Sequence, residues 1–187
     1  MISNLRRRSQ AILLSLAGIL AVSNGIQPAR ALEIKGRTYF LRPPSDVELI
    51  SYYTTVLDSQ PDYYITLQLP TDAGASLGGL TIEQTRGADR QFTFTAERVH
   101  AFFGRPRAEG ARVPLQARFD QANRRFTIAF PTPVPPGSTL TVVLQPWNNP
   151  IQADTYMYEV MAYPAGPNPV PAPLGYGTLS IYSTQSR

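Results

Sequence analysis

The chain has 187 residues, with 17 Lys+Arg against 13 Asp+Glu, a formal charge of +4 and no cysteine. The missing cysteine excludes disulfides, thiolate catalysis and cysteine-ligated metal sites, so stability must come from apolar packing. A pI of about 9.6 would suggest a nucleic-acid partner, but the excess positive charge resides in Arg6, Arg7, Arg8 and Arg30.

Those arginines belong to a segment that reads as an export signal. Arg6-Arg7-Arg8 forms a cationic start, Ala11 to Val22 a short apolar run, and Ala29-Arg30-Ala31 a small-residue triplet. The run falls short of the roughly 20 apolar residues that span a bilayer. Ala29 and Ala31 therefore mark a cleavage site, with Leu32 as the first mature residue and no stable membrane anchor after cleavage. Residues 32–187 then carry balanced charge, which removes the argument for nucleic acid. Their length suits one domain, expected in the periplasm or outside the cell.

Residues 32–60 read as an N-terminal arm of uncertain structure. Within it Asp46 to Leu57 has a capping residue in Ser45, but Tyr52-Tyr53-Thr54-Thr55-Val56 prefers strand or irregular geometry over helix. From Tyr63 the pattern is apolar alternation at period 2, the mark of strands with one buried face. Tyr63, Ile65, Leu67 and Leu69 share a face until Pro70, and Leu80 with Ile82, then Phe92 with Phe94, follow. Val113 to Phe119 and Phe126 to Phe130, around a turn rich in Asp120 and Asn123, form the clearest hairpin. Pro135-Pro136-Gly137 then introduces Leu140, Val142 and Leu144, and Tyr156 to Tyr163 and Thr178 to Tyr182 complete about eight strands by the same spacing rule. Pro164 to Pro173 carries five prolines and is expected to run extended over the surface. No long amphipathic helix separates the strands, which predicts an all-β, antiparallel two-sheet sandwich of immunoglobulin-like or jelly-roll-like type.

Several stretches in this order resemble an exported cyanobacterial family known only as a domain of unknown function, DUF2808. They are Tyr64-Ile65-Thr66-Leu67 with Leu69-Pro70, Leu80-Thr81-Ile82-Glu83-Gln84, Ala101-Phe102-Phe103-Gly104-Arg105-Pro106, Pro133-Val134-Pro135-Pro136-Gly137, Asn149-Pro150 and Leu174-Gly175-Tyr176-Gly177. The resemblance implies export, with the thylakoid lumen as a further destination, and a β-rich fold; it implies no activity. Glu159 and Trp147 depart from the family pattern, which puts a shared ligand surface in doubt.

Candidate chemistry is sparse. Gly74-Ala75-Ser76-Leu77-Gly78, followed by Asp89 and His100, imitates a nucleophile elbow and its partners. Ser76 leads into a strand, however, so no helix amides would form an oxyanion hole, and a Gly-rich connection is the preferred reading. His100 is the sole histidine, and no metal or cofactor site is expected. Asp154 with Glu159, or Glu83 with Asp89, could serve as a glycosidase pair if brought within a few ångströms. Arg105, Arg107 and Arg112 fall in one Gly/Pro loop and are candidates for holding an anionic glycan or an acidic loop, with a solvated rim as the plainer reading; Arg118, Arg124 and Arg125 form a second cluster. Trp147 and Tyr156 are candidate stacking rings, with Tyr52, Tyr53, Tyr64 and Tyr158 beside them and at least half expected in the core.

The reading that follows is a non-enzymatic binding or structural module of the cell envelope or lumen, with a protein or glycan as partner. The alternative is a carboxylate-dependent hydrolase of envelope polysaccharide.

Overall fold

The computed structural model describes residues 32–183, and the export signal read in residues 1–31 lies outside them. Strands β1 (Leu32–Ile34) and β2 (Arg37–Tyr39) form a small antiparallel hairpin. The sandwich is built from β3 (Ser45–Ile50), β4 (Tyr63–Gln68), β5 (Leu77–Arg86), β6 (His100–Arg105), β7 (Ala108–Arg112), β8 (Gln116–Asp120), β9 (Arg125–Val134), β10 (Thr139–Leu144), β11 (Asp154–Pro164) and β12 (Ala172–Ile181). One sheet has the order β3-β4-β10-β6-β7 and the other β12-β11-β5-β9-β8. The expected two-sheet β architecture is therefore the observed one.

The period-2 pattern decides which side chains meet between the sheets. Tyr63, Ile65 and Leu67 of β4 and Leu140, Val142 and Leu144 of β10 are buried in one core with Leu80 and Ile82 of β5, Phe126 and Ile128 of β9, and Tyr158 and Val160 of β11. Each such side chain contributes about 1.5–3 kcal/mol of transfer free energy, which together offset the cost of ordering the backbone. Along one flank the sheets close where β12 meets β3. Gly177 lies against Leu49 so tightly that a Cβ there would come within 2.7 Å of the Leu49 Cβ. On the other flank the chain crosses from β7 to β8 through Val113–Leu115, and buried Val113 helps seal the edge.

The hairpin expected around Asp120 and Asn123 is present as β8–β9, with Phe119 opposite Phe126. Asp120 accepts the Ala122 and Asn123 N–H groups at 3.0 and 3.2 Å, which tightens that turn. Other expectations need correction. Phe92 and Phe94 form no strand; Phe94 makes one isolated bridge to Pro146, because both rings turn inward to meet other aromatics. The arm 32–60, left uncertain by its sequence, supplies three strands, β1 to β3, and its residues 40–44 and 51–60 are irregular apart from isolated bridges.

Arg107 lies in the turn Pro106-Arg107, but Arg105 and Arg112 lie in strands, so the three do not share one loop. They sit on the β6–β7 hairpin, which doubles back over the outer face of its own sheet. Gly104 makes the bend at φ +102°, where the β6–β7 register also shifts. The Thr141 hydroxyl donates to the Gly104 carbonyl at 2.6 Å from that outer face. Beyond the bend, Arg105 reaches Glu48 on the far edge strand at 2.6 Å, and the Arg107 guanidinium lies 4.0 Å from the centre of the Tyr52 ring. Phe102, Val143, Thr66 and Thr141 are buried although they alternate with the core residues of their strands, consistent with this cover.

Candidate functional site

At one end of the sandwich, here termed the loop pole, the irregular segments 51–62, 87–99 and 145–153 converge with the turn 121–124 and the end of β12. Backbone hydrogen bonds weave them together. Leu57 N–H donates to the Pro150 carbonyl at 3.3 Å, Asn149 N–H to Asp58 at 2.8 Å, Gln60 N–H to Trp147 at 2.8 Å, and Trp147 N–H to Thr93 at 3.1 Å. Tyr182 N–H donates to Thr54 and its carbonyl accepts Val56 N–H.

Beneath this weave lies a buried polar network centred on Arg124, which is only 2% exposed. Its Nε and Nη2 donate to Gln84 Oε1 at 3.1 and 3.0 Å, and Nη1 donates to the Phe92 carbonyl at 2.7 Å. Its guanidinium carbon lies 4.5 Å from the Phe92 ring centre, 5.3 Å from Phe94 and 5.4 Å from Phe119. Among the described residues no carboxylate pairs with this cation; an amide, a carbonyl and three π faces hold it. Burial lowers its pKa from the ordinary arginine value. Gln84 passes the constraint on, donating through Nε2 to the Asp89 carbonyl at 2.9 Å. The Asp89 carboxylate then accepts Gln91 N–H at 2.8 Å and Ile151 N–H at 3.0 Å. Asn149 is equally committed, accepting from the Tyr63 hydroxyl at 2.7 Å and donating to the Tyr53 and Thr55 carbonyls.

On this foundation sits an open cleft of about 470 Å³ lined by Leu57, Asp89, Gln91, Phe92, Thr93, Trp147, Asn148, Asn149 and Ile151. Trp147 is about half exposed, and Leu57 and Ile151 are more exposed still. Leu57 holds this position at φ +62°, a left-handed conformation that a branched side chain rarely takes. Tyr52, Tyr53 and Tyr182 are exposed near the same pole. Single exposed apolar side chains need no explanation, but here several are gathered at one end of the sandwich.

The other sequence candidates are placed differently. Tyr156, expected as a surface ring, is a core residue; its hydroxyl donates to the Gln152 carbonyl at 2.8 Å and burial pushes its pKa up to about 12. Arg105 and Arg107 are turned onto Glu48 and Tyr52, and Arg112 lies opposite Phe102 on β7. Arg118, Arg124 and Arg125 do not cluster: Arg118 is exposed on β8, Arg124 is buried, and Arg125 is paired with Glu83 at 2.6 Å. Ser76 lies before β5 and Asp89 beyond its other end, so a ten-residue strand of roughly 33 Å separates them. The elbow geometry is absent.

Neither nominated carboxylate pair is free to work as one. Asp154 accepts Ala88 N–H at 2.8 Å and Thr155 N–H at 2.7 Å, while Asp89 holds the cleft floor. The carboxylates that do face each other are Glu83 and Glu159, paired across β5 and β11, with Glu83 engaged by Arg125. That pairing depends on strand register, which one sequence does not display. Among the described residues no group of three or more His, Asp or Glu side chains could hold a metal ion, and no helix is long and apolar enough to cross a membrane.

Similarity to a solved pilin subunit supports the fold. The chain superposes on BcpA, the major pilin subunit of Bacillus cereus, with a TM-score of 0.50 at 9% identity, covering 76% of this chain and 41% of that one. It is also similar to BslA, a bacterial hydrophobin, at TM-score 0.45 and 11% identity over 78% of this chain and 100% of that one. A collagen-binding domain from a Staphylococcus aureus adhesin gives TM-score 0.40 at 5% identity over 73% of this chain and 96% of that one. No curated protein matches the chain in sequence. Residues 37–181 match the sequence pattern of a family described as protein of unknown function (DUF2808), and the chain belongs to that family.

Proposed function

We propose that this protein is an exported, non-enzymatic binding module of the cell envelope or lumen whose contact surface is the loop pole. The observation that carries the reading is the concentration of exposed Leu57, Trp147 and Ile151 around one cleft whose floor is fixed by buried hydrogen bonds. An apolar rim held rigidly in water costs stability, and contact with a partner recovers it. The family match and the pilin-like fold support an extracytoplasmic role, and the leader read in residues 1–31 supplies the route. The partner is an envelope protein or glycan; the placement of Arg105 and Arg107 against the protein's own surface favours the loop pole over the arginine hairpin.

Two measurements test the proposal. N-terminal sequencing of protein recovered from cells should begin at Leu32, and an intact leader would contradict export by cleavage. Wild-type protein should co-sediment with isolated envelope fragments, and the pair Leu57→Asp and Ile151→Asp should reduce retention at least tenfold. Equal retention of the variant would refute the loop pole as the contact surface.

A further inference from the structure

Resting on that reading, we infer that the Trp147 cleft binds an uncharged carbohydrate chain, with a pyranose ring stacked on the open face of the indole. Arg98 braces the ring from one side. Its guanidinium carbon is 4.5 Å from the ring centre, and its Nε and Nη2 are anchored to Gln145 Oε1 at 2.9 Å and Gln60 Oε1 at 3.1 Å. Arg98 Nη1 is buried with no hydrogen-bond partner, so the indole π cloud is its compensation. One face is thus occupied by Arg98, while the side chain as a whole stays about half exposed and lines the cleft. A flat, pre-oriented indole suits the C–H face of a sugar, and little ordering cost remains at binding.

The polar lining selects among ligands. Gln91, Thr93 and Asn148 are exposed, and their side chains form no hydrogen bond with other described residues. They offer two amides and a hydroxyl, donors and acceptors together, to whatever enters. Asp89 is the one ionisable residue of the lining, and its two carboxylate oxygens already accept Gln91 and Ile151 N–H groups. The lining therefore provides no cation for a polyanion and no free carboxylate for a cationic ligand. An extended peptide is disfavoured for a separate reason. The N–H groups of Leu57, Gln60, Trp147 and Asn149 are already paired within the pole, so little backbone is left for strand addition. Apolar surface beside unspent neutral hydrogen-bonding groups, in a cleft of about 470 Å³, matches a few sugar units.

The chain has one tryptophan, so intrinsic indole fluorescence reports on this cleft alone. The test titrates the purified protein with maltoheptaose, cellohexaose, chitohexaose and polygalacturonate, and repeats binding by calorimetry with Trp147→Ala and with the surface pair Gln91→Ala and Asn148→Ala. At least one neutral oligosaccharide should shift Trp147 emission saturably, and both variants should bind it at least tenfold more weakly, the Gln91→Ala and Asn148→Ala pair with an unchanged thermal midpoint. Response to polygalacturonate alone, to none of the four, or undiminished binding by Trp147→Ala would overturn the inference. Loss of envelope retention in Leu57→Asp with Ile151→Asp, without neutral-glycan binding, would leave the module reading standing and this inference fallen. Retention insensitive to that pair would remove the module reading itself.

Discussion

Arg124 illustrates how a single residue organises the loop pole. Its planar fork donates to Gln84 and Phe92 while its faces lie against three rings, and lysine can reproduce neither the fork nor the stacking. Arg124→Lys should cost about 2–4 kcal/mol, since buried hydrogen bonds to a charged group contribute about 1.5–3 kcal/mol; denaturant titration measures it. A loss below 0.5 kcal/mol would mean the network is incidental. His100 makes a prediction of different form. Burial, followed by the nearby Arg112 charge, lowers its pKa below the ordinary 6.5. The unfolded chain then binds more protons than the folded one between the two values, so this stability is complete above about pH 6.5 and is lost as pH falls through the lower folded value. His100→Gln should flatten stability against pH in that window. Asp120, whose pKa is lowered chiefly by the Asn123 side-chain hydrogen bond, acts in a separate window below 3.8. Trp147 was legible in the sequence as a candidate ring, whereas Arg124 was not: nothing local distinguishes it from Arg125, and only the tertiary fold buries one and exposes the other.

Among elements, the β6–β7 hairpin shows where periodicity stops being informative. Ala101, Phe102 and Phe103 form part of β6, yet three apolar residues in a row lack the alternation that marks a strand with one buried face, because the cover on the outer face comes from the same chain after a bend. The bend needs glycine at position 104, where φ is +102° and a Cβ would lie 2.5 Å from the Ala108 carbonyl oxygen. Gly104→Ala should destabilise by about 1–3 kcal/mol through strain and overpacking. It should also speed amide exchange over residues 105–112, and unchanged exchange there would show that the hairpin does not depend on this bend. The Arg105–Glu48 pair is half exposed at both ends and should contribute less than about 1 kcal/mol by itself. By contrast, β4, β9, β10 and β11 were readable directly, since apolar residues alternate along each between turn residues, although only β9 and β11 also alternate in burial.

For the molecule as a whole, pairing is mostly between distant parts of the chain. Tyr63 of β4 lies opposite Leu144 of β10, and Leu80 of β5 opposite Ala162 of β11. Such topology makes folding slow, and refolding followed by far-UV circular dichroism should fall in the millisecond-to-second range; microsecond refolding would contradict pairing as the limiting event. Layering and strand alternation could be read in advance, but sheet order could not, because it is set by how remote segments share one core. The order has a mechanical corollary. β3 starts at the pole opposite Trp147, and β12 ends beside Tyr182 at the loop pole. Tension applied at the two ends of the sandwich would therefore run parallel to the strands and load the β11–β12 ladder in shear, all rungs together, where a load across the strands would peel them one by one.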